Sequence, residues 1–206
     1  MGRSGVSSHA LVSPCGERCV VFTGFYEHTI DAKNRLAIPS EIRKQLTAEA
    51  NRRASDGETD GTVVVYVTPD PKTNALMIWP EARFAELAKM LDQSPRSLAE
   101  VLPFERTMFP LTARSEMDKQ GRIRLSDFHL KQLVKLDSDV AVIGVNDHLE
   151  VWSRDAWMAN LTQTLEQSPH LLMHPREALR NEPTPGSTAP GSQENPQQDD
   201  PSSNWH

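Results

Sequence analysis

The feature of this sequence that most constrains its fold is an internal repeat. The segment DAKNRLAI at residues 31–38 aligns with DKQGRIRL at residues 118–125, an offset of 87 positions, and KQL at 44–46 aligns with KQL at 131–133 at the same offset. Farther along, LMIW at 76–79 aligns with LEVW at 149–152, an offset of 73 positions. Repeated segments in the same order indicate a duplicated structural unit, so we expect two copies of one half-fold in the chain.

The change of offset between the two alignments indicates an insertion in the first copy. Offsets of 87 and 73 differ by 14 positions, and the polar stretch Ala50–Gly61 lies between the segments that define them. Clusters of polar residues with glycine between periodic segments are typical of loops. We therefore expect an inserted loop at this stretch.

Hydrophobic patterning predicts the same elements in each copy: a strand, a tight turn, a short strand, a short helix, two strands and a second helix. The runs VVVYV at 63–67 and VAVIGV at 140–145 are typical of strands buried on both faces. The stretch Arg96–Met108 is expected to link the copies through a helical piece whose length Pro103 limits. The predicted fold class is α+β.

This pattern divides the chain into five predicted segments. The first repeat occupies residues 21–91, a linker residues 92–110 and the second repeat residues 111–166. Residues 1–20 form a predicted N-terminal extension that we interpret as a mis-assigned start, with Val20 or Val21 as the alternative first codon. Residues 167–206 are rich in Pro, Ser, Gln and Asn and poor in apolar residues, so a disordered tail is expected.

Composition limits the function classes. The net charge of −6 argues against a nucleic-acid partner, but six acidic residues follow the last predicted core helix, and distant charges are screened. Locally, the segments around both aligned motifs are net basic. No apolar run is long enough to span a membrane and no secretory signal is present, so we expect a soluble cytoplasmic protein. Cys15 and Cys19 lie in the N-terminal extension and predict neither a disulfide framework nor a metal site.

No catalytic pattern is present either. His28, His129 and His148 have no nucleophile or carboxylate at a recognisable catalytic spacing, so neither an enzyme nor a cofactor is predicted. Trp79 and Trp152 could stack on bases, but their equivalent positions before a helix favour core packing.

The aligned motifs predict two tight turns. An aspartate at the start of such a turn, Asp31 or Asp118, bonds forward to backbone N–H groups, and a later residue must tolerate positive φ, as Asn34 and Gly121 do. The arginine that follows each turn, at position 35 or 122, can contact phosphate or a guanine edge. The alternative is an Asp–Arg ion pair that only closes each turn, and the recurrence of the motif beside other basic residues favours the DNA-binding interpretation.

The combination of motifs resembles the MraZ family of bacterial transcriptional regulators. The resemblance rests on FTG at 22–24, RLAIP at 35–39, the two Asp-x-x-(Asn/Gly)-Arg turns, and Glu150 with Trp152, and it covers residues 22–165. The sequence departs from the family pattern at Asn34, Ser126, Pro103 and Pro110.

The resemblance implies two tandem AbrB-like swapped-hairpin half-domains that form a pseudo-two-fold β-barrel with short flanking helices. It implies a nucleoid-associated repressor of the division and cell-wall gene cluster, which binds repeated elements of promoter double-stranded DNA as a ring-like homo-oligomer. The DNA-contacting residues that we predict from it are Lys33, Arg35, Arg43, Lys119, Arg122 and Arg124.

Two other functions remain open. An AbrB-type antitoxin or transition-state regulator would use the same half-fold, although as a single copy in a homodimer. A scaffold or adaptor would bind proteins through the Pro-rich tail. The dependence of binding on salt separates this second alternative from a DNA-binding protein.

Overall fold

The computed structural model describes residues 20–168. The predicted N-terminal extension and Pro-rich tail therefore lie outside the described residues, apart from residues 20, 167 and 168. Contacts divide the chain into two units, Met1–Leu161 and Thr162–His206, and all the strands belong to the first unit. The elements in chain order are β1 Phe25–Thr29, β2 Arg35–Ala37, α1 Ser40–Ser55, β3 Val64–Asp70, β4 Ala75–Pro80, α2 Glu81–Asp92, α3 Leu98–Met108, β5 Ala113–Glu116, β6 Arg122–Arg124, a π-helical turn His129–Leu133, β7 Asp139–Val145, β8 His148–Ser153 and α4 Arg154–Gln167.

The strands form one six-stranded antiparallel sheet and one two-stranded ribbon. The order in the sheet is β1-β7-β8-β4-β3-β5, and the ribbon pairs β2 with β6. Strands β1 to β4 of the first half are equivalent to β5 to β8 of the second. Exchanging each strand for its equivalent gives the same order in reverse, so the sheet is symmetric about the β8–β4 pair. β1 pairs with β7 of the other half, and β5 pairs with β3 of the other half. The mixed α+β class is confirmed, and the two halves share one sheet.

The strands do not close into the predicted barrel. Within residues 20–168 the sheet is open, with β1 and β5 at its edges, because β2 and β6 pair with each other instead of extending those edges. A β-bridge between Ile30, directly after β1, and Leu36 joins the ribbon to the β1 edge of the sheet. At the β5 edge Ser115 Oγ donates to Arg124 O at 3.0 Å and accepts from Arg124 N–H at 3.1 Å.

The core lies between the sheet, the ribbon and α1. Leu36 of β2 and Ile123 of β6 are 0% and 1% exposed, and they pack with Ile42 of α1 and with valines of β3 and β7. The valine runs of β3 and β7 are mostly buried, as their composition predicts. The ribbon is thus held by its apolar side against the core, and its other side is directed outward.

The start of the predicted insertion is helical, so the loop prediction for Ala50–Gly61 is wrong for residues 50–55. α1 continues to Ser55, because residues 50–55 are rich in Ala and Arg, which are strong helix formers. The helix ends before Gly57, whose φ of +77° suits the residue that follows a helix C-terminus. In the second half the corresponding helix is reduced to the π-helical turn.

The limit expected from Pro103 is also not observed. α3 extends from Leu98 to Met108 with Pro103 inside it, although the proline removes one backbone donor. A capping box at the N-terminus stabilises the helix: Glu100 accepts hydrogen bonds from the backbone N–H and the hydroxyl of Ser97, at 2.9 and 2.8 Å. None of the helices within residues 20–168 has both the length and the apolar character required to cross a membrane.

Candidate nucleic-acid interface

The two motif turns have the same backbone geometry. Asn34 N–H donates to Asp31 O at 2.8 Å, and Gly121 N–H donates to Asp118 O at 2.9 Å. Asn34 and Gly121 both adopt positive φ, at +57° and +76°. Each turn therefore reverses the chain through a left-handed residue at the position that the motif predicts, and β2 or β6 begins at the arginine that follows.

Each turn aspartate binds the backbone with one oxygen and the arginine with the other. Asp31 Oδ1 accepts from the N–H groups of Lys33 (2.8 Å) and Arg35 (2.9 Å), and its Oδ2 accepts from Arg35 Nε (2.7 Å). Asp118 Oδ1 accepts from two backbone N–H groups of the second turn (2.9 and 3.0 Å), and its Oδ2 accepts from Arg122 Nε (2.9 Å).

These hydrogen bonds favour the ionised carboxylates. The pKa of Asp31 is lowered to about 2, principally by the backbone N–H of Arg35 and then by its side chain. The pKa of Asp118 is lowered as well, first by the side-chain hydrogen bond from Arg122 and then by the backbone N–H of the same residue. Both aspartates are thus negatively charged at neutral pH, and both arginines are held beside them.

The pairing of β2 with β6 brings three arginines onto one outer face. Arg35 lies opposite Arg124, and Ala37 lies opposite Arg122, with the buried pair Leu36 and Ile123 between them. Side chains alternate along a strand, so positions 35, 37, 122 and 124 point away from the core. We call these four positions and the two turns the ribbon face. The sequence had placed these arginines in separate repeats, and only the register between β2 and β6 shows that they are neighbours.

Each turn also accepts a hydrogen bond from the residue that directly follows the ribbon strand of the other half. Leu125 N–H donates to Asn34 O at 2.8 Å, and Ile38 N–H donates to Gly121 O at 2.9 Å, so the two halves repeat the same bond. The side-chain contacts differ. Asn34 Nδ2 donates to Asp127 Oδ1 at 2.8 Å.

The second turn is covered by an arginine instead. Arg43 Nη1 donates to the backbone oxygen of Gln120 at 3.1 Å. A Cβ on Gly121 would collide with the side chain of Arg43, so this turn requires glycine both for its backbone conformation and for the space that Arg43 occupies.

Several of the basic residues in the motif regions are neutralised locally. Lys44 pairs with Glu41, Arg114 with Glu116 and Lys131 with Asp127, in addition to the two turn pairs. Of the six predicted DNA-contacting residues, four form no ion pair within residues 20–168, and these are Lys33, Arg43, Lys119 and Arg124. The ribbon face therefore carries a net positive charge although the whole chain is acidic.

The other residues considered from the sequence lie elsewhere. Trp79 stacks on His148 with ring centroids 4.2 Å apart, and Trp152 is buried, so these tryptophans pack within the protein as predicted. Burial lowers the pKa of His148, but acceptors on Glu150 and Asp147 outweigh it and raise the pKa overall. Cys15 and Cys19 lie outside the described residues.

Comparison with known proteins identifies the family. The family model described as "MraZ protein, putative antitoxin-like" matches residues 21–101 and 108–175. The chain belongs to the MraZ family. A relative from Moorella thermoacetica named "Transcriptional regulator MraZ" is 33% identical over 147 residues, which are 71% of this chain and 91% of the relative. Relatives of the same name from Lactiplantibacillus plantarum and Mycobacterium tuberculosis are each 32% identical and cover 70% and 72% of this chain and 90% and 91% of their own lengths.

The two segments matched by the MraZ family model correspond to the two halves of the fold. The break between them, residues 102–107, lies inside α3, which connects the halves. Sequence reasoning missed Asp127 as the partner of Asn34. The repeat contains a signal for this contact. The offset of 87 positions aligns Asp127 with Ser40, so both residues lie at the start of the segment that contacts the opposite turn.

Proposed function

We propose that this MraZ-family chain is a DNA-binding transcriptional regulator that contacts DNA through the ribbon face. The main support for the proposal is the pairing of β2 with β6. It places Arg35, Arg122 and Arg124 on one outer face of the ribbon, and the opposite face of the ribbon packs against the core. The name of the curated relatives supports the regulatory role. Within this proposal the chain acts in the cytoplasm, in association with the nucleoid.

The Asp–Arg pairs are compatible with DNA contact. A guanidinium has five N–H donors, and Asp31 engages only the Nε and Nη2 edge of Arg35, with Nη2 2.7 Å from Oδ2. Three donors remain on each arginine, and both arginines are only partly buried, with side chains 32% and 27% exposed. In the proposal the aspartate fixes each guanidinium so that its remaining edge contacts guanine or phosphate. Lys33 and Lys119 at the turn tips contact phosphates.

The exchange of edge strands between the halves supports an AbrB-like swapped-hairpin arrangement. Each half contributes one strand, β1 or β5, to a ladder of the other half, so neither half buries its apolar side alone. In this proposal the first repeat comprises residues 21–91, the linker residues 92–110 and the second repeat residues 111–166. Both repeats are required to build one ribbon face.

We further propose that the protein acts as a ring-like homo-oligomer that represses the division and cell-wall gene cluster through repeated promoter elements. A single ribbon face has few unpaired cations, so one subunit should bind weakly, and several faces on several sequence repeats raise the affinity through effective concentration. An apolar groove of about 630 Å³ beside α2 and α3, with Met90 and Phe104 exposed, supports association.

The same groove favours one alternative, a protein-binding scaffold. The two functions differ in their response to salt, because log K for DNA falls with log salt by about 0.9 per neutralised phosphate. An antitoxin or transition-state regulator built from single copies is disfavoured by the duplication within this chain, although the description of the family model includes the term antitoxin-like.

The testing experiment is fluorescence-anisotropy binding to the promoter DNA upstream of this protein's own gene. The wild type should bind with a salt-dependent affinity, and Arg35→Ala combined with Arg122→Ala should abolish specific binding. The matched control is Lys72→Ala with Lys89→Ala, which removes two positive charges from the β3–β4 turn and from α2, and it should bind like the wild type. Equal binding by all three proteins, or binding by none, contradicts the proposed ribbon face.

A further inference from the structure

The ribbon face is symmetric in its backbone and asymmetric in its side chains. A pseudo-two-fold axis between Leu36 and Ile123 relates Arg35 to Arg122 and position 37 to position 124. The first pair of positions is arginine in both halves. The second pair is alanine in β2 and arginine in β6, so Arg124 has no counterpart.

This difference makes the two ends of the ribbon unlike. At the first end, Arg124 lies across from Arg35, next to the turn 31–35. At the second end, Ala37 lies across from Arg122, next to the turn 118–122. The first end thus has two arginines on the strand face, and the second has one.

The positive charge of the two ends is nevertheless balanced. The first end carries two cations without ion pairs in the described part of the chain, Lys33 and Arg124, and the second end also carries two, Lys119 and Arg43. The difference lies in position. Arg43 extends from α1 over the turn and donates to a backbone oxygen, whereas Arg124 stands on the strand face.

The two ends carry equal positive charge but place it differently, so they should attract DNA equally and differ in which bases they contact. Contacts to phosphates fix the position of a protein on the duplex, and contacts to base edges specify the sequence. A face with true two-fold symmetry reads a palindromic site, because the symmetry of the site follows that of the protein. On the strand face the ribbon has this symmetry in the two turn arginines and loses it at Arg124. The turn lysines, Lys33 and Lys119, are not at equivalent positions either, but they lie at the turn tips, where they contact phosphates in the proposal.

From this asymmetry we infer that Arg124 is an orientation-determining residue, which makes the end of the ribbon beside the first turn the principal base-reading end. Each subunit then binds a non-palindromic element in a single orientation. This inference rests on the proposed function, since it assigns the direction of reading on the same ribbon face.

The test measures base preference along a short duplex. The probe is the promoter DNA upstream of this protein's own gene, shortened to the smallest duplex that still competes for the full-length protein in anisotropy assays. Each base pair of this duplex is then substituted in turn. For the wild type, the substitutions that weaken binding most should lie on one side of the centre of the footprint.

Three variants give matched comparisons. Arg124→Ala should lose base preference at one position, by about tenfold or more, because a bidentate arginine contact discriminates between bases by roughly this factor. Arg43→Ala removes the same charge from the other end. It should weaken binding to all the substituted duplexes by the same factor, so that the base preferences persist. Ala37→Arg gives both ends two arginines on the strand face and should create a second preference on the opposite side of the centre.

The outcomes distinguish this inference from the proposed function. A wild-type profile that is symmetric about the centre overturns the inference and leaves DNA binding by the ribbon face intact, as does an Arg124→Ala profile identical in shape to that of Arg43→Ala. Absence of preferential binding by the wild type overturns the proposed function and the inference together. Size-exclusion chromatography and thermal melting of each variant verify that the fold is retained, and the wild-type profile alone decides the symmetry if a variant does not fold.

Discussion

Substitution of Gly121 by alanine tests the structure of the second turn directly. Gly121 has φ of +76°, and an L-residue in this left-handed conformation costs about 1 kcal/mol more than glycine. The new Cβ would also collide with the flexible side chain of Arg43, which can move away. When the Arg43 side chain moves, its hydrogen bond to Gln120 O is lost, and this bond contributes about 0.5–1.5 kcal/mol to the free energy of unfolding. Gly121→Ala should therefore destabilise the fold by about 2 kcal/mol.

The assay is urea unfolding monitored by tryptophan fluorescence, at a fixed protein concentration because association shifts the apparent stability. A loss of about 2 kcal/mol lowers the melting temperature by about 4–8 °C for a protein of this size. Arg43→Ala and the double variant complete a double-mutant cycle. The double variant should be more stable than the sum of the single losses predicts, because each single variant loses the same hydrogen bond from Arg43 to Gln120 O.

Asn34→Gly is the matched control in the first turn. Asn34 already adopts φ of +57°, so glycine relieves the backbone there but removes the side-chain hydrogen bond to Asp127. The change in stability should be smaller than for Gly121→Ala. A loss below about 0.5 kcal/mol for Gly121→Ala, or an additive cycle with Arg43→Ala, would refute the reasoning.

Three further predictions concern stability. Because the pKa of Asp31 is lowered from 3.8 to about 2 in the folded protein, its contribution is present above pH 4 and is lost as the pH falls toward 2; Asp31→Asn should flatten this part of a stability–pH curve measured by urea unfolding. Burial lowers the pKa of His129, whose Nε2 lies 2.6 Å from Leu111 O, so the urea midpoint should decrease as the pH falls from 7 to 5, and His129→Gln should reduce this decrease. Gly144→Ala would bring a Cβ within 2.6 Å of the Thr23 backbone, and thermal melting should show a loss of about 2–3 kcal/mol, whereas a neutral effect would show that β7 is not in close contact with the segment before β1.

The repeat in the sequence predicts the order of elements and the two turns because these depend on local chemistry. Positive φ at Asn34 and Gly121, and forward bonds from Asp31 and Asp118, are properties of a few adjacent residues. The pairing of strands between the halves depends on contacts distant in sequence. The alignment treats Arg35 and Arg122 as equivalents, but it gives no indication that Arg35 faces Arg124.

The two errors in the helices have different physical causes. The polar character of Ala50–Gly61 predicts a loop, but the helix formers in its first half extend α1 to Ser55. In α3, the capping box formed by Ser97 and Glu100 stabilises the helix despite Pro103, and this pattern is readable in the sequence.

The Asp–Arg fork reconciles the two interpretations of the motif. As an ion pair it closes each turn, and as a support it holds a partly exposed guanidinium that has three donors the aspartate does not engage. Stability requires this arrangement in both halves, because each turn receives a backbone hydrogen bond from the other half, and a change in one turn disturbs both. Positions 37 and 124 face outward and are free of this requirement, so they can differ without cost to the fold. In our proposal, the Asp–Arg pair is therefore kept in both halves because it closes each turn, and sequence discrimination arises at position 124, where the two strand faces differ.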